Sequence, residues 1–243
     1  MNHQNITLLY IETATETCSV ALSINDQIVI SKEIANGFSH AENLIPFIDE
    51  IMMESKTIKE QLSAIVLSIG PGSYTGLRIG ASTAKGLAYA LDIPVIAIPT
   101  LQSIMMGAKK EIESAGNLTG EEMAKICYCP MIDARRMEVF TTLFSADGSM
   151  LQDISAMIID ENSFAELLEK RKVVFCGNGM PKCKDILSRY PNAIFSNAPL
   201  SSTNMLEKAL EKFKNQEFED KAYFEPFYLK EYIAVKSGVK GLK

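Results

Sequence analysis

The chain has 243 residues, 47% hydrophobic and 22% charged, enough for one large core or two moderate ones and unlike a disordered or fibrous chain. Its net charge of -6 weighs against a nucleic-acid surface, which needs clustered Lys and Arg. No apolar run approaches the roughly 20 residues of a membrane helix, and the opening MNHQNITLLYIE lacks the basic flank of a secretory leader, so the chain reads as cytoplasmic.

The first segments alternate like strands. LLYIETA is an apolar run ending at a polar turn, CSVALSI follows, and a turn at Asn25-Asp26 leads into QIVISKEI. Residues 39 to 54 carry helical periodicity, with Ser39 as the expected cap and Glu42 three positions on. Ala41, Leu44, Ile45, Ile48, Ile51 and Met52 form its core stripe, and Phe47 and Met53 fall outside it. AIVLSIG is a short, wholly apolar run of the buried-strand type. GPGSYTGLRIG then runs from Gly70 into a helix that reaches Leu91, and PVIAIPT closes the lobe as a strand.

The second half opens as the first does. ICYCPMIDA is a strand ending at an acid, MEVFTTLFS is a strand, and Asp147-Gly148 is a hairpin turn before another short strand. Glu12 precedes Asp26 by fourteen residues, and Asp133 precedes Asp147 by fourteen. Strand order, turn chemistry and spacing together imply a duplicated unit of a β-hairpin plus a strand, hence two related α/β lobes. The polar stretch KKEIESAGNLTGEEM has linker composition, which puts the boundary within 101–124 and divides the chain into lobes 1–106 and 107–243. A helix near 162–171, the strand KVVFCG, a turn at Gly177–Gly179 and a helix over 201–214 complete the second lobe.

The glycine-rich loop before a helix is the sequence's clearest feature. Exposed backbone N–H groups and the helix dipole would suit a phosphate there. The loop is not a P-loop, having no Gly-Lys-Ser/Thr. Gly70, Gly72 and Gly76 are also one residue too widely spaced for the dinucleotide fingerprint, so tight-turn packing fits them equally well. Gly70, Gly72 and Ser73, with Glu12 and Asp133 as end-of-strand acids, are the candidate nucleotide site. Glu12 could instead cap turn amides. Glu16 beside it adds negative charge where a phosphate would sit, which opposes tight ATP binding.

The helix carries more information than the loop. Leu77, Gly80, Ala81, Ala84, Leu87, Ala88 and Leu91 form a core stripe. Opposite them, Ile79, Thr83, Gly86 and Ala90 are small or apolar where a surface helix would place charges, and that spacing lets another helix approach closely. Phe47, Met53, Ile79, Thr83, Gly86 and Ala90 are therefore the expected partner interface.

Catalytic and metal constellations are not legible. The two histidines, His3 and His40, make no metal pair, and no GxSxG elbow exists. The five cysteines read as buried free thiols of a reducing compartment, with Cys127 and Cys129 assigned to opposite strand faces. Lys230, Lys236, Lys240 and Lys243 form the one basic cluster, read as a solvated tail before an RNA contact.

IETATETCSVAL, GPGSYTGLRIG, MIDARRMEVF and PFYLKEYIAVKS, in that order, resemble the TsaB (YeaZ) family of tRNA threonylcarbamoyladenosine biosynthesis proteins. The resemblance implies the two-lobed actin-like ATPase (ribonuclease H-like) fold. It also implies a non-catalytic subunit, with no metal and with ATP or ADP bound weakly or at a partner interface at most. Its partners would be a TsaD-like transferase, a TsaE-like ATPase, a second copy through the same surface, and tRNA only through the complex. That surface would be the 39–54 and 75–91 helices. Glu12 departs from the family's usual Asp, which lowers any expectation of nucleotide chemistry. An ATP-dependent small-molecule kinase on the same fold is the alternative reading. A metallo-glycoprotease fits poorly, because the ligands are missing.

Overall fold

In the computed structural model, which describes residues 5–35 and 39–230, two sheets share one strand plan. The first lobe runs β1 (Thr7–Glu12), β2 (Cys18–Ile24), β3 (Gln27–Ile34), α1 (His40–Ser55), β4 (Ala64–Gly70), α2 (Tyr74–Leu91) and β5 (Val95–Pro99). Its sheet order is β3-β2-β1-β4-β5. The hairpins β1–β2 and β2–β3 are antiparallel, while β1, β4 and β5 are parallel. Asn25 turns the second hairpin at φ 57, a left-handed conformation that Asn tolerates. β3 alternates exposed and half-buried residues, as an edge strand with one wet face must.

The chain continues through α3 (Thr100–Ala115), α4 (Gly120–Lys125), β6 (Cys127–Asp133), β7 (Glu138–Thr141), β8 (Phe144–Ser145), β9 (Ser155–Ile158), α5 (Ala165–Lys170), β10 (Val173–Cys176), α6 (Met180–Leu187), β11 (Ala193–Phe195) and α7 (Leu206–Lys214). The second sheet has the order β11-β10-β6-β7-β9, with β8 also on β6. Replacing β1, β2, β3, β4 and β5 by β6, β7, β9, β10 and β11 turns one order into the other, and the parallel and antiparallel pairings match. The repeat read from Glu12/Asp26 and Asp133/Asp147 is thus a repeat of topology, and the chain has the two-lobed actin-like α/β fold.

Several local expectations change. The polar stretch 109–123, taken as a linker, is helical except for 116–119, which join α3 to α4, and residue 106 lies inside α3, so the 106/107 boundary falls within a helix. Leu101, Ile104, Met105 and Ala108 of α3 pack with Tyr128, Ile132 and Val174, so the polar composition belongs to the helix's outer side. Ser39 stands at the N-cap of α1 without capping it; its Oγ and carbonyl both accept from the Asn43 side-chain amide. Ala41 and Ile45 are exposed, while Phe47 packs on the core. Cys127 and Cys129 share one face with Met131, because a spacing of two in a strand returns to the same side. Within the described residues all five cysteines are free and buried. His3, Lys236, Lys240 and Lys243 lie outside the described residues.

The first sheet is covered on both faces. Leu9, Ile11, Val20, Leu22, Ile65 and Leu67 meet α1 and α2. Leu8, Tyr10, Val66, Ile96 and Ile98 meet Met205, Ala209 and Leu210 at and after the start of α7. The helix expected over 201–214 is a 3-10 turn (Ser202–Met205) followed by α7, and it lies on the first lobe. Phe175, fully buried between Phe164 and Phe195, centres the second core. Phe175→Ala is expected to lower stability by about 3–5 kcal/mol, against about 0.5 kcal/mol for Val29→Ala on the β3 edge. Urea unfolding of the two variants checks the contrast.

Candidate functional site

The turn after β1 and the start of α2 are built against each other. The Ser73 N–H donates to the Ala14 carbonyl (2.6 Å), and the Thr13 hydroxyl donates to the Gly76 carbonyl (2.8 Å). Ser73 caps α2 by accepting the Gly76 N–H at 3.3 Å. A Cβ at Gly72 would sit 2.2 Å from the Ala14 oxygen, and one at Gly76 would sit 2.1 Å from the Thr13 oxygen. Gly70, at φ +123, lies against the Phe227 carbonyl. Behind Gly76, the buried His40 donates from Nε2 to the Thr15 carbonyl at 2.8 Å, tying the start of α1 into the same knot. The glycines let two backbones touch, and the N–H groups of Ser73 and Gly76 are spent inside the protein.

Between the lobes lies a cleft of about 570 Å³. Ala14, Thr15, Glu16 and Gly72–Thr75 form one wall; Ile132–Arg135, Phe140 and Asn178 form the other. Asp133 lines it. Burial pushes the Asp133 carboxyl up, but Lys182 and the Arg135 N–H outweigh that and hold it below the ordinary value. Lys182 forms an ion pair with it, and the Arg135 N–H donates to Oδ1 at 2.7 Å. Arg135 and Arg136 both have positive φ at the tight turn into β7.

Glu12 stands apart from this cleft. It is fully buried behind the turn and accepts the Ala14 N–H at 2.7 Å, while its Oε2 has no hydrogen-bond partner among the described residues. Burial raises its carboxyl from 4.5 to about 7, only partly opposed by the Ala14 N–H. The structure therefore places Gly72, Ser73 and Asp133 at the cleft and Glu12 out of reach of it. Among the described residues, no group of three or more His, Cys, Asp and Glu is placed to hold a metal ion.

The second candidate surface is the outer side of α1 and α2. Met53 is 73% exposed, and Gly86 and Ala90 are exposed. Apart from its chain neighbours and the backbone of its own helix, nothing described lies within 4 Å of a Cβ built at Gly86. Thr83 is half-buried, while Phe47 and Ile79 are half-buried against the protein's own core, so half of each faces inward. Ile45 (48% exposed) and Tyr89 (82%) join this surface and were not expected there. Periodicity assigned Ile45 to the core stripe, and Tyr89 fell on neither stripe of α2. A tyrosine among small residues on an outward helix face was the available signal. Asn178 and Lys182, which meet Glu16 and Asp133, carried no sequence signal, being far away in the chain.

The family model for tRNA N6-adenosine threonylcarbamoyltransferase, TsaD, matches residues 23–241. The chain is similar to three curated proteins called tRNA threonylcarbamoyladenosine biosynthesis protein TsaB. The Haemophilus influenzae protein is 39% identical over 137 residues, covering 56% of this chain and 53% of that one. The Escherichia coli protein is 34% identical over 140 residues, covering 58% and 55%. The chain thus spans about half the length of these two relatives. The match to the Bacillus subtilis protein is 29% over 179 residues and covers 71% of each. The solved structure of YeaZ from Pseudomonas aeruginosa is 26% identical with a TM-score of 0.72, covering 92% of this chain and all of that one.

Two measurements test the site's construction. Gly72→Ala and Gly76→Ala are each expected to cost about 1–3 kcal/mol by overpacking, whereas Gly86→Ala should stabilise by about 0.5–1 kcal/mol through helix propensity. Urea midpoints that rank the three variants otherwise would refute the close-contact reading. The buried Glu12 gives a pH signature. Its native state holds the proton more tightly than the unfolded chain, so the contribution is full below pH 4.5 and is lost as pH rises through 7. Relative to Glu12→Gln, the parent should lose about 3 kcal/mol between pH 4 and pH 8. Stability curves of parent and variant that run parallel in pH would rule this out.

Proposed function

Because the chain belongs to the family of the threonylcarbamoyltransferase model, in its TsaB (YeaZ) branch, we propose that it acts in tRNA threonylcarbamoyladenosine biosynthesis as a non-catalytic partner of a TsaD-like transferase. The observation that carries this reading is the outer side of α1 and α2. There Met53, Gly86, Tyr89 and Ala90 stand exposed, small and large apolar residues together, where a solvent-only helix would carry charge. Gly86 leaves room for a second helix backbone to come close.

The cleft supports the same reading from the other side. A nucleotide clamp needs a free carboxylate for its metal and free amides for its phosphates. Glu12 is sealed behind the turn, Asp133 is held by Lys182, and the Ser73 N–H is taken by Ala14. ATP or ADP then binds weakly, or only where a partner completes the site. A TsaE-like ATPase would join the pair, tRNA would be reached through the complex, and a second copy of this chain would compete for the same surface. Among the described residues no helix is long and apolar enough to cross a membrane.

Size-exclusion and calorimetric titration with the cognate TsaD-like protein test the proposal. The parent is expected to form a complex. Gly86→Arg and Ala90→Glu should weaken it at least about tenfold, roughly 1.4 kcal/mol, while both variants stay folded. A parent that forms no complex, with or without nucleotide, sinks the reading. Saturable binding of Mg-ATP by the isolated chain, lost on Asp133→Ala, would favour the small-molecule kinase instead.

A further inference from the structure

The lobes meet at the base of the cleft through α3, whose Leu101 and Ile104 share a core with Tyr128, Ile132 and Val174. A cleft joined only there could hinge open at its mouth. Among the described residues, two sets of contacts cross the mouth. At one, the Asn178 side-chain amide donates to Glu16 at 2.7 Å and accepts the Asp133 N–H at 3.0 Å, so a single planar group is held from both lobes. At the other, the segment after α7 crosses from one lobe to the other. It bridges Glu219 to Val95 at the β5 edge, buries Phe224 beside α2, and donates the Phe227 N–H to Ile69 at 2.8 Å. Tyr228 then meets the Tyr74 ring at 4.9 Å, and Lys230 pairs with Glu138 in the second lobe beside Phe140. Tyr74 and Phe140 are themselves cleft walls.

We propose that the Glu16–Asn178 bond and the 219–230 strap form a two-point clasp that holds the lobes at one angle. The clasp makes the cleft a fixed spacer instead of a hinge. The half-buried amide bond supplies direction, since Asn178 satisfies both lobes only at one separation. The strap supplies reach, because its anchors on β5, α2 and β7 span both lobes.

The test uses the full chain with spin labels at Glu60→Cys and Glu169→Cys, both exposed positions; the five native thiols are buried. Pulsed dipolar spectroscopy should give one narrow interlobe distance in the parent. Asn178→Leu combined with Lys230→Ala should broaden it and shift it longer, and hydrogen exchange of the Asp133 N–H should quicken about tenfold. Glu16→Gln alone, which keeps an acceptor for the Asn178 amide, should retain the narrow distance. If the double variant does not fold, Glu16→Ala alone carries the test and should broaden the distribution. An unchanged distance distribution in the folded variants overturns the clasp.

Discussion

The 2.6 Å hydrogen bond from Ser73 to the Ala14 carbonyl sets how closely α2 approaches β1, and most of the molecule's useful geometry hangs from it. Side chains at Gly72 or Gly76 would force the two backbones apart. With them absent, α2 seats its Ala81, Ala84 and Ala88 stripe into the sheet and turns its Gly86 and Ala90 side outward. The same contact closes the turn over Glu12 and forms one wall of the cleft. His40 locks α1 onto the same point, so the two helices of the exposed face share one anchor.

That anchor occupies two of the backbone N–H groups at the start of α2. The N–H groups at a helix start are attractive to anions only while they are unspent. Here Ala14 and the Ser73 side chain take two of them. The acids follow the same pattern. Glu12 is buried where ionisation is costly, with its carboxyl raised to about 7, and Asp133 is kept ionised by Lys182 as half of an ion pair. At this turn and cleft the polar groups are engaged with the protein's own backbone and side chains.

Legibility in the sequence followed the range of the physics. The paired openings of the lobes were visible because a hairpin writes its register within some fifteen residues, as at Asn25 and Asp147. The apolar strand β4 and the helical periods of α1 and α2 were likewise local. α3 was missed because its outer residues are charged and its apolar side is short, which looks the same as a linker until a second sheet lies beside it. Ile45 and Phe47 exchanged sides for a related reason. A stripe drawn at 100° per residue gives the width of the buried face, but the neighbouring sheet and helix decide where its edges fall.

By itself, then, the sequence determined the strand-rich α/β duplication, the turn chemistry, the glycine-rich turn into α2 and the small-residue stripe of that helix. Each of these is a statement about neighbours in the chain. Only the tertiary structure decided that Glu12 is sealed away from the cleft, that Lys182 holds Asp133, that Asn178 reaches Glu16, and that the residues after α7 return across α2 to the second lobe. Those contacts join residues separated by tens to well over a hundred positions, and burial and pairing at such range depend on how whole lobes pack.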